Sequence, residues 1–293
     1  MIRKYLQLTR LPNIFTAPTN IMAGYLTVTP VSELNYTSLG ILLISSALLY
    51  SSGIIFNDYF DVETDRKERP FRPLPSGSIS KNRALQLGFA FMASAVLISL
   101  VVSWLSFAIA VFLSCAIFVY DYKLKHHKFF GPITMGGTRF LNVILGASPM
   151  LHLPLQSNFF QPFFAAASMF AYVIIISLFS RKEVSGMSSK KISILFSLVY
   201  SITASIAITT LLGFFKIMGF AILVPFIVIE SIIFKQSLPG NTVAIQGGIK
   251  SMVISIIILD AIFVSGTAGL SFGLITLLFL VPSIILSRKF YVT

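Results

Sequence analysis

Long apolar stretches alternate with short polar ones along almost the whole chain. The apolar segments lie at about 11–29, 38–57, 83–103, 105–121, 133–152, 161–179, 191–212, 215–234 and 245–266, with a further stretch at 270–287. A helix needs roughly 20 mostly apolar residues to cross a bilayer, and most of these segments have about that length. The pattern therefore predicts an all-α polytopic membrane protein. The last two stretches form either two helices or one span and a partly inserted segment, so we expect nine or ten transmembrane helices.

Lysine and arginine residues between these segments are confined to alternate loops. Basic residues lie in 1–10, 66–83, 123–128 and 181–191, whereas the loops near 30–37, 104 and 153–160 carry none. Because positively charged loops stay in the cytoplasm, the amino terminus and the loops after the second, fourth and sixth helices are predicted to be cytoplasmic. The basic pair Arg288-Lys289 favours the same side and an even number of helices. These loops can therefore converge on one site.

The composition supports an integral membrane protein with one domain over 1–293. Hydrophobic residues make up 56% of the chain and charged residues only 11%, against about 25% charged in soluble domains. The formal net charge is +12, but these charges flank apolar segments, so nucleic acid is not an expected partner. Cys115 is the only cysteine, which excludes an intramolecular disulfide and a cysteine metal site. The basic amino terminus is predicted to be a retained first helix rather than a signal peptide.

Half of the ten acidic residues lie in the stretch 57–80, which reads NDYFDVETDRKERPFRPLPSGSIS. Asn57, Asp61 and Asp65 recur every fourth position and Asp58 lies three before Asp61, so a continuing helix would place them on one face. Carboxylates near a membrane boundary are costly to bury unless a cation neutralises them. Amide and carboxylate oxygens suit Mg²⁺, and arginine binds phosphate with paired hydrogen bonds. The order of acids followed by bases predicts a site for Mg²⁺ and a diphosphate. The alternative is a solvated loop whose charges pair with one another.

The spacing of this stretch also matches a family signature. Asn57-Asp58-x-x-Asp61-x-x-x-Asp65 is followed by Arg69-Pro70-x-Arg72-Pro73-Leu74-x-Ser76-Gly77. This resembles NDxxDxxxD and RPxxSG, the first signature of the UbiA superfamily of intramembrane prenyltransferases. Leu11-Pro12-Asn13 resembles the family's opening, and Tyr120-Asp121-Tyr122-x-Leu124-Lys125 resembles its tyrosine–lysine segment after the fourth helix. The resemblance implies about nine transmembrane helices around a central cavity.

The resemblance also implies a mechanism. In that family Mg²⁺ bridges the aspartates to an isoprenyl diphosphate, the diphosphate leaves, and an aromatic or lipid acceptor attacks the allylic carbocation. Metal and bases would stabilise the leaving group, and the bundle would keep water from the cation. The metal ligands predicted here are Asn57, Asp58, Asp61, Asp65 and Glu183. The predicted catalytic residues are Asp61, Asp65, Arg72, Tyr120 and Lys125. The predicted substrate contacts are Asn57, Arg69, Arg139, Asn142, Arg181 and Lys182.

The family's second acidic motif, near DxxxD after the sixth helix, has no close counterpart in the chain. Residues 177–186 read SLFSRKEVSG, and Glu183 is the only acid between Asp121 and Glu230. Three explanations are open. Glu183 helps to hold a second metal ion, or Arg181 and Lys182 contact the diphosphate in its place, or this branch binds a prenyl lipid without transferring it. Simple positive-inside anchoring is the alternative for the two bases.

Several polar residues lie inside predicted helices. Arg139 and Asn142 are three apart at the start of the fifth helix, where an arginine is costly unless it faces a cavity or a partner. We expect them to contact the diphosphate or the acceptor; the alternative is an arginine that reaches to the membrane interface. Asp260 either orients an acceptor or, as we favour, pairs with Lys250 or a hydroxyl. Glu230 is expected at the interface, close to a helix end.

Two functions follow from these patterns. The first is a Mg²⁺-dependent membrane prenyltransferase that uses an isoprenyl diphosphate and a hydrophobic or aromatic acceptor. The second is a protein on the same scaffold that binds or transports a prenylated or aromatic lipid, which the altered second motif favours. An unrelated ion-coupled transporter would explain an acid inside the membrane at position 260 but not the RPxxSG pattern.

Overall fold

The computed structural model of the protein describes residues 2–151 and 159–287, which form helices joined by turns and by a longer connection over 69–80. The α-helices are α1 (Ile2–Leu8), α2 (Leu11–Ile14), α3 (Thr16–Val28), α4 (Tyr36–Phe60), α5 (Val62–Glu68), α6 (Lys81–Val102), α7 (Trp104–Tyr122), α8 (Phe130–Ala147), α9 (Phe160–Ser180), α10 (Ser189–Leu211), α11 (Phe220–Ser237), α12 (Thr242–Thr267), α13 (Leu270–Leu277) and α14 (Leu280–Ser287). The predicted all-α fold is confirmed. The bases at 288 and 289, which favour an even number of helices, lie outside the described residues.

Eight segments of the described chain are long and apolar enough to cross a membrane by themselves. They are Tyr36–Phe60, Lys81–Val102, Trp104–Tyr122, Phe160–Ser180, Ser189–Leu211, Ile217–Ser237, Thr242–Thr267 and Leu270–Ser287. The predicted first span is instead interrupted at Phe15, between α2 and α3. Pro18 follows this break and has no backbone N–H to donate to the carbonyl of Ile14, which favours an interruption at this point. The predicted fifth span corresponds to α8, whose buried Arg139 and Asn142 make it more polar.

Polar side chains fix where several of the long helices begin. The side chain of Asn35 accepts a hydrogen bond from the backbone N–H of Ser38 and caps α4. Ser103 has an extended backbone between α6 and α7, and its Oγ accepts from the N–H of Ser106, so this single residue separates two helices. Such caps satisfy backbone donors that the first helical turn leaves without partners. The hydropathy pattern predicts the segments, and these residues determine where helices start.

Small residues allow α3 and α8 to pack with their backbones in close contact. A Cβ added at Gly24 would meet the carbonyl oxygen of Val143, and one added at Gly146 would meet that of Ile21. Small residues at helix interfaces are typical of membrane bundles, where close backbone approach replaces a hydrophobic driving force. Helix α3 also packs against α4, α9 and α12. It is therefore a central helix that connects the two sides of the bundle.

One position inside the bundle differs from its prediction. Glu230 was expected at the membrane interface, but its side chain is fully buried in α11. Its Oε1 accepts hydrogen bonds from the hydroxyls of Tyr172, at 2.6 Å, and Ser255, at 2.9 Å. The expectation was wrong because helices α9 and α12 supply these partners, and nothing in the local sequence around Glu230 reveals them.

Candidate functional site

A cavity of about 240 Å³ lies between α4, α7 and α8. Its walls combine a polar outer end, an apolar middle and a polar inner end. The outer end has Arg10, Asn57, Tyr120 and Asp121, the middle has Leu49, Gly53, Ile54, Leu113, Ile117 and Met135, and the inner end has Ala17, Ser46, Tyr50, Thr138, Arg139 and Asn142. Ser46 and Asn57 are eleven residues apart on α4, which corresponds to about 16 Å along the helix. The cavity therefore has two chemically distinct ends.

The predicted acidic stretch lies at the outer end, and a break in the helix divides its aspartates. Helix α4 ends at Phe60, Asp61 occupies the junction, and α5 begins at Val62. The backbone N–H of Asp65 still bonds to the carbonyl of Asp61, so the turn remains close to helical. Asp58 and Asp65, seven residues apart, share a partner in Arg72, whereas Asp61 faces Lys125. The predicted single face thus becomes two adjacent groups.

The first group is a network of two buried acids, the buried Arg72 and the partly buried Arg10. Arg72 Nη1 lies 2.7 Å from Asp65 Oδ2 and 3.4 Å from Asp58 Oδ1. Arg10 Nη2 lies 2.7 Å from the same Asp58 oxygen. Burial lowers the pKa of Arg72, as does Arg10, while the two carboxylates act against this change. For Arg10 burial also acts to lower the pKa, but the Asp58 carboxylate outweighs it and the pKa is raised. Both guanidinium groups therefore remain charged and hold the carboxylates in place.

The second group surrounds the side chain of Lys125. Its Nζ lies 2.7 Å from Asp61 Oδ1 and 3.5 Å from the backbone carbonyl of Asn57. The side-chain amide of Asn57 donates to Asp121 Oδ1 at 3.3 Å. His126 is farther away, with its Nε2 3.8 Å from Asp61, and its side chain is mostly exposed. An ammonium group is thus already held among amide and carboxylate oxygens at the outer end of the cavity.

The donor set at this end fits a hard divalent cation. It consists of carboxylate and amide oxygens, which are the ligands that Mg²⁺ prefers, and each of Asp58, Asp61 and Asp65 already has a positive group beside it. Within 2–151 and 159–287, no three His, Cys, Asp or Glu side chains converge closely enough to form a ready metal site. The carboxylates are held by bases of the chain rather than by one another. Positive charge is therefore favourable here.

The inner end of the cavity contains a buried cation on a network of neutral groups. Arg139 Nη1 donates to the backbone carbonyl of Thr16 and to Asn20 Oδ1, both at 3.1 Å, and its Nη2 donates to Thr16 Oγ1 at 3.0 Å. The guanidinium carbon lies 4.8 Å from the centre of the Tyr50 ring. Asn142 donates to the carbonyl of Ala17 and accepts from Ser46. Arg139 and Asn142 thus line the cavity instead of reaching to the interface.

The bases of the altered second motif lie away from the carboxylates of the first. Arg181 donates to the backbone carbonyls of His127 and Lys128, and Lys182 is exposed. Glu183 instead contacts the first motif, because its Oε1 lies 3.4 Å from Arg69 Nη2. Glu183 of the second motif and Arg69 of the first thus form an ion pair. The roles of Arg181 and Lys182 at a diphosphate stay predictions.

The sequence predicts no role for three residues of this site. Asp121 lines the cavity beside the predicted Tyr120, and Arg10 comes from the chain before α2 to pair with Asp58. Asn20 lies between Arg139 and Asp260. An acid that ends an apolar helix was a visible signal for Asp121. Arg10 and Asn20 had no comparable local signal, since their partners are 48 and 240 residues away.

The fold and the site together define the class of protein to which the chain belongs. The chain is a helical membrane protein whose internal cavity has clustered carboxylates and bases at one end. The sequence profile of the UbiA prenyltransferase family matches residues 17–238. The chain therefore belongs to the UbiA prenyltransferase family.

Curated relatives match part of the chain. Digeranylgeranylglyceryl phosphate synthase of Saccharolobus solfataricus is 30% identical over 148 residues, which are 50% of this chain and 51% of the relative. The protein of the same name from Methanococcus aeolicus is 34% identical over 133 residues, or 44% of this chain and 46% of the relative. The chain thus spans about half the length of the curated relatives it matches.

Solved structures match nearly the whole chain. A digeranylgeranylglyceryl phosphate synthase structure has a TM-score of 0.64 at 20% identity and covers 91% of this chain and 98% of its own. A UbiA homologue of Archaeoglobus fulgidus, bound to GPP and Mg²⁺, has a TM-score of 0.64 at 17% identity and covers 93% and 99%. An apo UbiA homologue of Aeropyrum pernix has a TM-score of 0.69 at 12% identity and covers 85% and 96%. At these identities the similarity supports the shared fold alone.

Proposed function

We propose that the protein is a membrane prenyltransferase that transfers an isoprenyl group from an isoprenyl diphosphate to an acceptor. The observation that carries this proposal is the cavity, where clustered carboxylates and bases at the outer end open onto apolar walls. A diphosphate needs the charged end, and a prenyl chain needs the apolar walls. Membership of the UbiA prenyltransferase family supports the same reaction class.

Mg²⁺ is the proposed cofactor. Asn57, Asp58, Asp61 and Asp65 would hold it, with Glu183 as a further candidate ligand. When bound, the ion would neutralise the charge that develops on the departing diphosphate. A UbiA homologue with the same fold has been solved with GPP and Mg²⁺, which supports this choice.

The bases of the chain have separate tasks in this reaction. Lys125 and Arg72 lie beside the carboxylates, and Arg69 lies at their edge. Each can donate hydrogen bonds to phosphate oxygens, which stabilises the leaving group in a site that excludes bulk water. The ring of Tyr120 lines the same end of the cavity, where the electron-rich face of an aromatic ring favours a nearby carbocation. The apolar middle keeps water from that cation.

The inner end of the cavity is proposed to bind the polar group of the acceptor. Arg139, Asn142 and Ser46 present a cation, an amide and a hydroxyl there. The similar proteins named digeranylgeranylglyceryl phosphate synthase make a lipid phosphate, as their name states. A lipid acceptor with an anionic head group and an aromatic acid are therefore the two acceptor classes to compare. The outer end is proposed to face the cytoplasm, as its many bases favour.

A second candidate function is lipid binding or transport without transfer. The second motif supports it, because Glu183 is committed to an ion pair with Arg69 and Arg181 is bound to backbone carbonyls. A site with fewer free acids holds fewer metal ions. Such a protein would bind the same lipids and release no diphosphate.

Diphosphate release separates the two functions. Purified protein is incubated with Mg²⁺, a series of isoprenyl diphosphates from geranyl to longer chains, and either geranylgeranylglyceryl phosphate or an aromatic acid. We expect acceptor-dependent diphosphate release that falls about 100-fold in Asp61→Asn. Glu63→Gln is the matched control, since Glu63 lies in the same stretch but is exposed. Release that is absent with every donor, together with lipid binding that is unchanged in Asp61→Asn, would support the binding protein instead.

A further inference from the structure

The guanidinium of Arg139 is a buried cation without a carboxylate in direct contact. Its side chain is only 5% exposed, and among the described residues it has no acidic partner within 4.0 Å. Its three hydrogen bonds go to Thr16 and Asn20. A buried charge is costly unless it is compensated. The nearest compensation in this network is Asp260 on α12, which Arg139 reaches only through Asn20.

The amide of Asn20 connects the cation to the acid. Its Nδ2 donates to Asp260 Oδ2 at 2.8 Å, and its Oδ1 accepts from Arg139 Nη1 at 3.1 Å. Asn142 also donates to this oxygen, at 3.4 Å. A side-chain amide has a donor side and an acceptor side, and either could face a given neighbour. A carboxylate only accepts and a guanidinium only donates, so these two groups together allow one orientation of the amide.

We propose that Asp260, acting through Asn20, is a positioning residue for Arg139 at the inner end of the cavity. This inference rests on the proposed function, in which Arg139 contacts the acceptor. The arrangement supplies negative charge from behind the amide and so leaves part of the guanidinium available to a substrate. Arg139 has five N–H groups, its three hydrogen bonds within the described chain use three of them, and its side chain lines the cavity.

This arrangement differs from a direct ion pair in its consequence for binding. A carboxylate in contact with Arg139 would use two of its N–H groups and neutralise the face that an acceptor needs. When an amide lies between the carboxylate and Arg139, its oxygen holds the guanidinium in place without neutralising the charge that the guanidinium presents to the cavity. The ring of Tyr50 restricts the guanidinium further by stacking against it. Loss of the acid should therefore disturb acceptor binding more than donor binding.

Asp260→Asn tests the proposal with almost no change in volume. An asparagine at 260 removes the negative charge behind Asn20 and can present an N–H where the carboxylate could only accept, so Arg139 alone then holds the orientation of the Asn20 amide. We expect the KM for the acceptor to rise about tenfold, which is the loss expected for one hydrogen bond to a charged group, while the KM for the isoprenyl diphosphate changes less than about twofold. Glu230→Gln is the matched control. Glu230 is also a fully buried carboxylate with two hydroxyl donors, but it has no bond to Arg139.

A charge-exchange variant distinguishes positioning from a general need for a buried acid. In Asn20→Asp/Asp260→Asn the carboxylate and the amide trade places, and the hydrogen bond between them can form again. We expect the acceptor KM of this double variant to stay raised, because the carboxylate at position 20 now contacts Arg139 directly and uses N–H groups that the acceptor needs. The proposal is overturned if Asp260→Asn affects both substrates equally, if Glu230→Gln has the same effect, or if the double variant has the acceptor KM of the wild type.

Thermal unfolding in detergent tests the connection without turnover. If Asp260 and Arg139 belong to one network, the fall in Tm for Arg139→Met/Asp260→Asn is smaller than the sum of the two single falls. Pairing Arg139→Met with Glu230→Gln should give additive falls. If the falls in Tm are additive in both pairs, the inference is overturned, whether or not the wild type transfers a prenyl group. If the falls for Arg139→Met and Asp260→Asn are not additive but the wild type transfers no prenyl group, only the proposed function is overturned.

Discussion

Arg72 provides the sharpest test of the outer end of the cavity. Its Nη1 lies 2.7 Å from Asp65 and 3.4 Å from Asp58, and all three side chains are buried. Arg72→Met keeps much of the side-chain volume but removes the charge and the hydrogen bonds. Asp58 then retains Arg10, while Asp65 loses the only ion pair it has within the described residues.

The size of the effect follows from this geometry. Removing one partner of a buried ion pair costs about 3–5 kcal/mol, because a charge is left buried without compensation. Since Asp58 keeps a second base, we expect the lower end of this range, about 3 kcal/mol. The matched control is Arg66→Met. Arg66 forms an ion pair with Glu63 at 2.9 Å in the same stretch, but both side chains are more than half exposed, and such pairs contribute about 0–1 kcal/mol.

The assay is thermal unfolding in detergent, with and without Mg²⁺. We expect Arg72→Met to lower Tm by about 5 °C or more and Arg66→Met by much less. Mg²⁺ should narrow the difference between Arg72→Met and the wild type, because a ligand that binds the folded state near Asp58 and Asp65 replaces the missing positive charge. Equal losses in the two variants, or a gap that Mg²⁺ leaves unchanged, would refute the reasoning.

Three further predictions address other parts of the site and the bundle. Lys125→Met should lower kcat/KM for diphosphate release about 100-fold, because the Nζ of Lys125 lies against Asp61. Lys123 is exposed, so Lys123→Met should keep near wild-type kinetics. Similar losses in the two variants would contradict a role of Lys125 at the diphosphate. Asp121→Asn should raise the Mg²⁺ concentration for half-maximal activity about tenfold, because Asp121 accepts a hydrogen bond from Asn57, a proposed Mg²⁺ ligand; a tenfold change is about 1.4 kcal/mol. An unchanged activation curve would show that Asp121 does not contribute to the site. Gly24→Val should destabilise the fold by about 3 kcal/mol in chemical unfolding, because its Cβ meets the carbonyl of Val143, while Gly137→Val has open space and should cost far less.

The parts of the fold that depend on local sequence were predictable. A span is a run of apolar residues, so hydropathy alone locates α4, α6, α7 and α9 to within a few residues. The interrupted first span shows the limit of that signal. Its average hydropathy hides Pro18, whose missing N–H favours a break between α2 and α3.

The pairing of charges across the bundle was not predictable from spacing. The periodicity of the acidic stretch indicates which acids are near one another, but Arg10 reaches Asp58 from 48 residues away. Asp260 was predicted to pair with Lys250 or a hydroxyl; the hydroxyl of Thr19 is one of its partners, and the amide of Asn20, also on α3, is a partner that was not predicted. These partners depend on how α3 and α12 pack against each other, which the local sequence around Asp260 does not specify.

The structure divides the acidic stretch between the two interpretations that the sequence left open. Glu63 and Arg66 form an exposed ion pair, and Lys81 lies 3.7 Å from the same glutamate, as expected of a solvated loop. Asp58, Asp65 and Arg72 are buried and bound to one another. Buried carboxylates and guanidinium groups reduce stability unless they are paired. Exposed and buried charged residues alternate within one turn of α5, where Glu63 and Arg66 are exposed and Asp65 is buried. The face of α5 on which a charged residue lies, and not the overall acidity of the stretch, therefore decides whether it is solvated or can act on a diphosphate.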